Sequence, residues 1–458
     1  MNYLVDILIQ INMNQDVYIH ILSHLPQCDK IKSSIVCKQW YNFNKYIFSE
    51  PIIISKSILK NDNFKDWFSN HKCLLKIQDK INVDDVPINM YDYIISINLK
   101  VVHKNIRELK NLKELFLSDN QLIHLPENIR ALKNLQVLHL GNNRLTHLPE
   151  SIRELKGLQY LNLGNNRLTS LPESIRELKQ LQTLLLSDNR LINLESIREL
   201  KNLQVLYLRN NRLTNLESIR ELKQLQTLYL SYNQLTHLPE SIGELKALQV
   251  LHLSYNQLTH LPESIREFKN LKMLYLNSNR LTSLPESIRK FKNLQVLHLG
   301  YNQLTSLPAN IGELKNLQYL SLSGNQLTRI PESIAELKNL QSLYLSRNQL
   351  TSLPESIGEL KNLQYLDLHG NQLTSLENIG ELKALQYLNL DNNSLTSLPE
   401  NIGELKALQY LNLDNNSLTS LPENIGELKN LQYLSLSGNQ LTSLPESIAE
   451  LKNLKIFH

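Results

Sequence analysis

Cysteine is scarce in this chain: among 458 residues there are three, Cys28, Cys37 and Cys73, all in the first hundred. An odd number without paired spacing builds neither a disulfide framework nor a zinc site, and it fits a reducing, intracellular setting, cytoplasmic or nuclear. With none after Cys73, self-contained cysteine ligase chemistry is not expected. Long apolar runs are also missing, since no stretch of about eighteen apolar residues occurs. The opening MNYLVDILIQ carries Asp6 and has no basic leader or small-residue cleavage site. The expectation is a soluble, unexported protein with no membrane partner. Charge nearly cancels, at +4, which gives no general case for nucleic acid. Nor is there a Gly-rich phosphate loop or a His-Glu-x-x-His pair; His147, His237 and His260 recur in a His-Leu-Pro-Glu framework rather than a metal pattern. The chain is therefore expected to be no enzyme, with no catalytic residue, metal or cofactor.

What is present is one unit, repeated. Leu135-Gln-Val-Leu138-His-Leu140-Gly-Asn-Asn143-Arg-Leu145-Thr-His-Leu148-Pro149-Glu-Ser-Ile152-Arg-Glu-Leu155 shows it clearly. Its asparagine returns at 120, 143, 166, 189, 211, 233, 256, 279, 302, 325, 348, 371, 393, 416 and 439. The spacing is 23 residues, except for three intervals of 22, and each short unit has lost the proline: Leu194-Glu195, Leu216-Glu217 and Leu376-Glu377 replace Leu-Pro-Glu. A unit this short cannot bury a core alone, so it must stack on its neighbours. Leu138 and Leu140 alternate as in a strand and point inward, leaving Val137, His139 and Gly141 outside. Pro149, Glu150, Ile152 and Leu155 suit a short helical turn. The Asn143 amide can satisfy backbone groups that the coil would otherwise bury unpaired, a structural role.

The unit resembles the leucine-rich repeat, in its 23-residue intracellular form with Leu-Pro-x-x-Ile-x-x-Leu, over residues 112–458 in about fifteen copies. The resemblance implies an α/β fold: a right-handed, horseshoe-like solenoid with a parallel sheet on its concave face, used to bind proteins. Ahead of it, residues 90–111 read as an N-terminal cap and degenerate repeat, with Ile95, Ile97 and Leu99 as a first strand.

The front of the chain has another period. Asp16 precedes a helical pattern of Val17, Ile21, Leu22 and Leu25 closed by Pro26, and Asp29 caps a second helix carrying Ile31, Ile35, Val36 and Trp40. Two such helices bury too little to stand alone, so they either cap the repeats or dock on a partner. These residues resemble an F-box. Its opening maps onto Met13, Asn14, Asp16, Val17, Ile21, Leu22 and Leu25, with Met-Asn for the usual Leu-Pro; its later elements map onto Pro26, Asp29 and Val36-Cys37-Lys38-Gln39-Trp40. The resemblance implies a small all-α module at 8–54, joined by a connecting segment at 55–89, that binds the Skp-type adaptor of a cullin-RING ubiquitin ligase. Met13, Val17, Ile21, Leu22, Leu25, Pro26, Ile31, Val36 and Trp40 are then either adaptor contacts or F-box core. On this reading the chain is the substrate receptor of the ligase and the repeats hold a target protein. The alternative is a freestanding scaffold for a signalling protein such as a small GTPase, its N-terminal helices acting as a cap.

Variation among the copies marks the target surface. The residue between the two strand leucines is Tyr207, Tyr229, His252, Tyr275 and His298 in successive units, and Tyr344 two units further on. With parallel strands about 4.8 Å apart, Tyr207 to His298 form one column roughly 20 Å long. Tyr232, Tyr255 and Tyr301 flank it, each just before the repeat asparagine. Exposed aromatic rings in a cluster suit a protein-binding patch on the concave face. A second column, Tyr319, Tyr365, Tyr387, Tyr410 and Tyr433, falls two residues earlier in its strands; residues 380–402 and 403–425 are identical copies, so duplication explains it better than binding. Charge divides along the chain, +9 over residues 101–300 and −6 over 301–458, a dipole able to orient a partner. Much of the positive share, Arg153, Arg176, Arg198 and Arg220 included, sits in the convex helical turns as a solvated face.

Overall fold

The structure is a computed structural model that describes residues 52–54, 56–60, 65, 68, 75–100, 102 and 104–457. All nine candidate adaptor or F-box core residues, Met13 to Trp40, lie outside the described residues.

Two compact units divide the chain, one ending at Arg190 and the other starting at Leu191. Strands β1 (Ile52–Ile54), β2 (Leu75–Ile81), β3 (Ile94–Leu99), β4 (Glu114–Phe116), β5 (Val137–His139), β6 (Tyr160–Asn162) and β7 (Thr183–Leu185) belong to the first. Each pairs in parallel with the next. The second unit carries β8 (Val205–Tyr207), β9 (Thr227–Tyr229), β10 (Val250–His252), β11 (Met273–Tyr275), β12 (Val296–His298), β13 (Tyr319–Ser321), β14 (Ser342–Tyr344), β15 (Tyr365–Asp367), β16 (Tyr387–Asn389), β17 (Tyr410–Asn412), β18 (Tyr433–Ser435) and β19 (Lys455–Phe457), again parallel in sequence order. Each unit is thus a solenoid of leucine-rich coils with a parallel sheet along one side.

The sheet begins earlier than the cap expected at residues 90–111. Strands β1 and β2 fall in the segments 8–54 and 55–89, and β2 pairs with β3 through a register shift. Leu75, Ile77, Ile81 and Val83 are fully buried there. Their coils lack the repeat's asparagine and its leucine spacing, which is why they read as a connection.

Within a coil the burial tracks the leucines. Leu135, Leu138, Leu140, Leu145, Ile152 and Leu155 are completely buried and Leu148 nearly so, each contributing roughly 1.5–3 kcal/mol over exposure. The strand is short because residue 142 turns left-handed, at φ 55°, and Asn143 then leaves the sheet. Its Nδ2 donates to the Leu117 and Leu140 carbonyls (2.9 and 3.0 Å), and its Oδ1 accepts the Leu122 N–H (3.1 Å). One side chain therefore ties three backbone groups across two coils, and Asn166, Asn189, Asn256 and Asn302 repeat the pattern.

The far side of each coil is a 3-10 helix, tighter than an α-helix, as at Glu150–Glu154 behind Pro149. It closes by Leu155 N–H donating to the Ile152 carbonyl at 3.1 Å. Where the proline is missing, Leu194 and Leu216 take φ near −130° (−132° and −133°), which proline cannot adopt, and the turn shrinks to Glu195–Ile197 and Glu217–Ile219. In the third short repeat Asn378 takes φ 58° instead. Neighbouring turns are linked by exposed lysine–glutamate pairs, for example Lys292–Glu313 (2.9 Å) and Lys338–Glu359 (3.1 Å). Such pairs set register more than stability.

Candidate functional site

Because side chains alternate across a strand, the residue between each pair of buried leucines stands on the open face of the sheet. In the second unit these residues meet. Tyr207 packs on Tyr229 (ring centroids 4.5 Å), Tyr229 on His252 (5.3 Å) and His252 on Tyr275 (4.6 Å), while His298 meets Tyr275 edge-on at 6.4 Å. The expected column is therefore one physical stack, held at strand spacing.

The second tyrosine column is not separate from it. His298 contacts Tyr319, Tyr319 contacts Tyr344, and Tyr344 contacts Tyr365, at 6.1, 5.1 and 4.7 Å. From Tyr365 the rings run through Tyr387, Tyr410 and Tyr433 to Phe457, near-parallel at 4.0 to 4.4 Å up to Tyr433. The stack thus crosses from one strand position to the other at β12–β15 without a break. Diagonal neighbours in a sheet are within reach of aromatic side chains, so two columns in sequence make a single ladder in space. The spacing of the tyrosines could have signalled this, but the direction in which each ring leans could not be read.

The ladder is uncharged near neutral pH. Burial lowers the pKa of His252, with the charges of His298 and Arg209 adding to it, to about 4. Burial likewise lowers His298. The phenols move the other way, since burial within the stack raises Tyr229, Tyr344, Tyr387 and Tyr410. Ser231 Oγ lies 2.5 Å from His252 Nδ1, which leaves a neutral imidazole hydrogen-bonded at one edge. Over positions 227–234, 250–257, 273–280 and 296–303 the only ionised side chain is Arg280.

Tyr232, Tyr255 and Tyr301 border the stack, and their backbone is unusual. They take φ 56°, 56° and 57°, the left-handed region that disfavours bulky L-residues and suits Asn, Asp and Gly. Most other repeats obey that preference: Asn142, Asn165, Asn210, Asn392, Asn415, Asp119, Asp188, Gly324, Gly370 and Gly438 occupy the same place. The three tyrosines are also exposed, at 42, 46 and 55%. Tyr232 and Tyr255 stack at 4.2 Å, and the Arg209 guanidinium lies 5.1 Å above the Tyr232 ring. Arg209 was not foreseen; it extends the aromatic border by a cation–π contact. The first unit has a shorter stack, Phe116–His139–Tyr160, with centroids 4.7 Å apart at each step.

Among the described residues no group of three or more His, Cys, Asp or Glu could hold a metal, and no helix is long and apolar enough to cross a membrane.

Comparison with known proteins finds two kinds of family along the chain. The family described as leucine-rich repeat region matches residues 192–306, 270–347, 287–374 and 366–458, and further leucine-rich repeat families match 133–191 and 111–132. The F-box domain family matches residues 11–43. No curated protein matches. Among solved structures, a leucine-rich repeat protein from Leptospira interrogans is similar at 40% identity over 83% of this chain and 100% of that chain, with a TM-score of 0.77. The Arabidopsis receptor kinase HAESA, in complex with the peptide hormone IDA and the co-receptor SERK1, is similar at 29% identity over 84% of this chain and 68% of that one, with a TM-score of 0.61. The plant peptide hormone receptor RGFR1, in complex with RGF2, is similar at 27% identity over 84% and 80%, with a TM-score of 0.55.

Proposed function

The chain belongs to the leucine-rich repeat family and carries an F-box domain ahead of its repeats, and from that premise we propose that it is the substrate receptor of an SCF-type cullin-RING ubiquitin ligase. The F-box helices, through Met13, Val17, Ile21, Leu22, Leu25 and their neighbours to Trp40, dock on a Skp-type adaptor. The sheet face of the repeats holds the target protein, with Tyr207, Tyr229, Tyr232, His252, Tyr255, Tyr275, His298, Tyr301 and Tyr344 as its contact surface. The chain contributes no reacting group: transfer to the target is accelerated because the two are held together.

One observation carries the target-binding half. Three exposed tyrosines stand in left-handed turns beside a continuous, uncharged ring ladder, a placement that folding disfavours and that a bound partner compensates. Aromatic side chains of this kind dominate the energetics of protein interfaces. HAESA, similar in fold, is seen in complex with the peptide hormone IDA, and RGFR1, a peptide hormone receptor, in complex with RGF2, which fits a repeat array that binds polypeptide.

The adaptor half is tested by co-purification with the Skp-type adaptor, comparing the intact chain with Ile21→Asp plus Leu25→Asp. Adaptor is expected with the first and lost from the second; if the intact chain recovers none, the ligase reading is wrong and the freestanding scaffold takes its place. The target half is tested by Tyr229→Ala with Tyr275→Ala. Target recovery should fall to background with an unchanged circular dichroism spectrum, and retained binding would move the site off the ladder.

A further inference from the structure

The border of tyrosines has one gap. Tyr232 (after β9) and Tyr255 (after β10) stack at 4.2 Å with an interplanar angle of 8°, so side chains at this turn position stand parallel at about the strand spacing. After β11 the same left-handed position, φ 57°, holds Ser278, and after β12 it holds Tyr301. Tyr255 and Tyr301 are thus two strands apart, about 9.6 Å. A planar ring over Ser278 would stand about one strand spacing, 4.8 Å, from Tyr255, inside the 4.5–7 Å range of favourable aromatic pairs.

Two further features mark that space. Tyr301 leans away from it onto Gly324, where a Cβ would lie 2.8 Å from the Tyr301 ring. The ladder beneath changes at the same strands: Tyr275 and His298 meet at 74° and 6.4 Å, whereas His252 and Tyr275 lie at 14° and 4.6 Å. Two independent irregularities, one in each row, therefore coincide at β11–β12.

We propose that the gap over Ser278, between Tyr255 and Tyr301, is a receiving slot for one aromatic side chain of the bound protein. The proposal rests on the target-binding reading above and names what that face selects. Charge decides among flat groups: Arg280, two residues from Ser278, is the only ionised side chain along these four coil segments. It opposes a guanidinium or ammonium occupant and leaves an uncharged ring favoured. A phenyl, phenol or indole group inserted there would complete the row from Tyr232 to Tyr301.

The probe is N-acetyl-5-fluorotryptophanamide, monitored by its 19F line width on addition of the full chain. Saturable broadening with about millimolar affinity is expected. Ser278→Tyr should abolish it by filling the slot; Tyr232, Tyr255 and Tyr301 already occupy the same backbone conformation, so the variant should fold, as circular dichroism checks. Tyr255→Ala should weaken binding roughly fivefold, and Ser278→Asn should leave it unchanged. No broadening, or broadening that survives Ser278→Tyr, overturns the slot. Competition by N-acetylargininamide overturns the aromatic assignment in favour of a cation. The probe needs no target, so the two readings fail separately. Target loss in Tyr229→Ala with Tyr275→Ala, without probe binding, sinks the slot alone. Probe binding combined with undiminished target recovery by that double variant sinks the receptor reading alone.

Discussion

Acidification should loosen the ladder at His252 first. Its pKa falls from 6.5 to about 4 in the fold, so the unfolded chain takes up a proton near pH 6.5 that the folded chain refuses until about pH 4. Stability from this residue is therefore complete above pH 6.5 and is lost as pH falls through that window. A histidine moved from 6.5 to about 4 carries at most about 3 kcal/mol of pH-dependent stability, and on the order of 1 kcal/mol once solvent screening of a half-buried ring is allowed for. The groups facing it are Tyr229, Tyr275 and the Ser231 hydroxyl, with His298 and Arg209 as the charges that add to the effect of burial. The assay is a proton–carbon NMR titration of the imidazole Cε1–H, paired with amide exchange over β9–β11. A midpoint near pH 4 is expected, with exchange there accelerating as pH drops from 6.5 to 4 after correction for intrinsic rates. A midpoint at 6 or above would refute the reasoning, because it would mean that the ring is solvated and not packed between two tyrosines.

Asn256→Ala should open its own neighbourhood without melting the array. It leaves the Leu235 N–H without its acceptor, while the Leu230 and Leu253 carbonyls each keep one donor, Asn233 and Asn279, a loss of about 2 kcal/mol, and amide exchange should show it in the coils around residues 230–260 alone, since repeats couple to nearest neighbours. Tyr387, raised by burial and by Tyr365, and Tyr410, raised by burial and by Tyr387 and Tyr433, should ionise later than free tyrosine; ultraviolet titration of single Phe replacements should show these two missing from the phenolate signal near pH 10.

The repeat was legible because its signal is redundant: fifteen copies of Leu-x-Leu before an asparagine leave one period and one face to bury. The turn opposite the sheet was legible as helical from Pro149 and Ile152, though not as 3-10, because hydrogen-bond spacing over five residues leaves no mark in composition. Strands β1 and β2 were missed for the opposite reason. Ile52-Ile53-Ile54 and Leu75–Ile81 are strands without the repeat's asparagine and proline turn behind them, so only their pairing partners in the sheet reveal them. At the candidate site, Tyr207 to His298 were placed correctly as neighbours because strand register is set by the repeat. That Tyr319 to Tyr433 join them depends on side-chain lean across β12–β15, which belongs to packing.

Duplication accounts for part of this surface and fails for the rest. Residues 380–402 and 403–425 are identical, so the parallel stack of Tyr387 on Tyr410 is a product of copying. Copying does not explain Tyr232, Tyr255 and Tyr301, since the neighbouring copies place Asn210, Ser278 and Gly324 at the same turn position. A left-handed conformation costs an L-residue about 1–2 kcal/mol, least for Gly, Asn and Asp, and rings that stay 42 to 55% exposed recover little of that by burial. Three such placements, on consecutive or alternate coils and all beside the same stretch of the ladder, concentrate the strain where the face is otherwise uncharged. Strained positions persist where the surroundings or a function hold them. The same turn holds Asn, Ser or Gly in the neighbouring copies, so on the proposed reading a bound target is what offsets the cost of the three tyrosines.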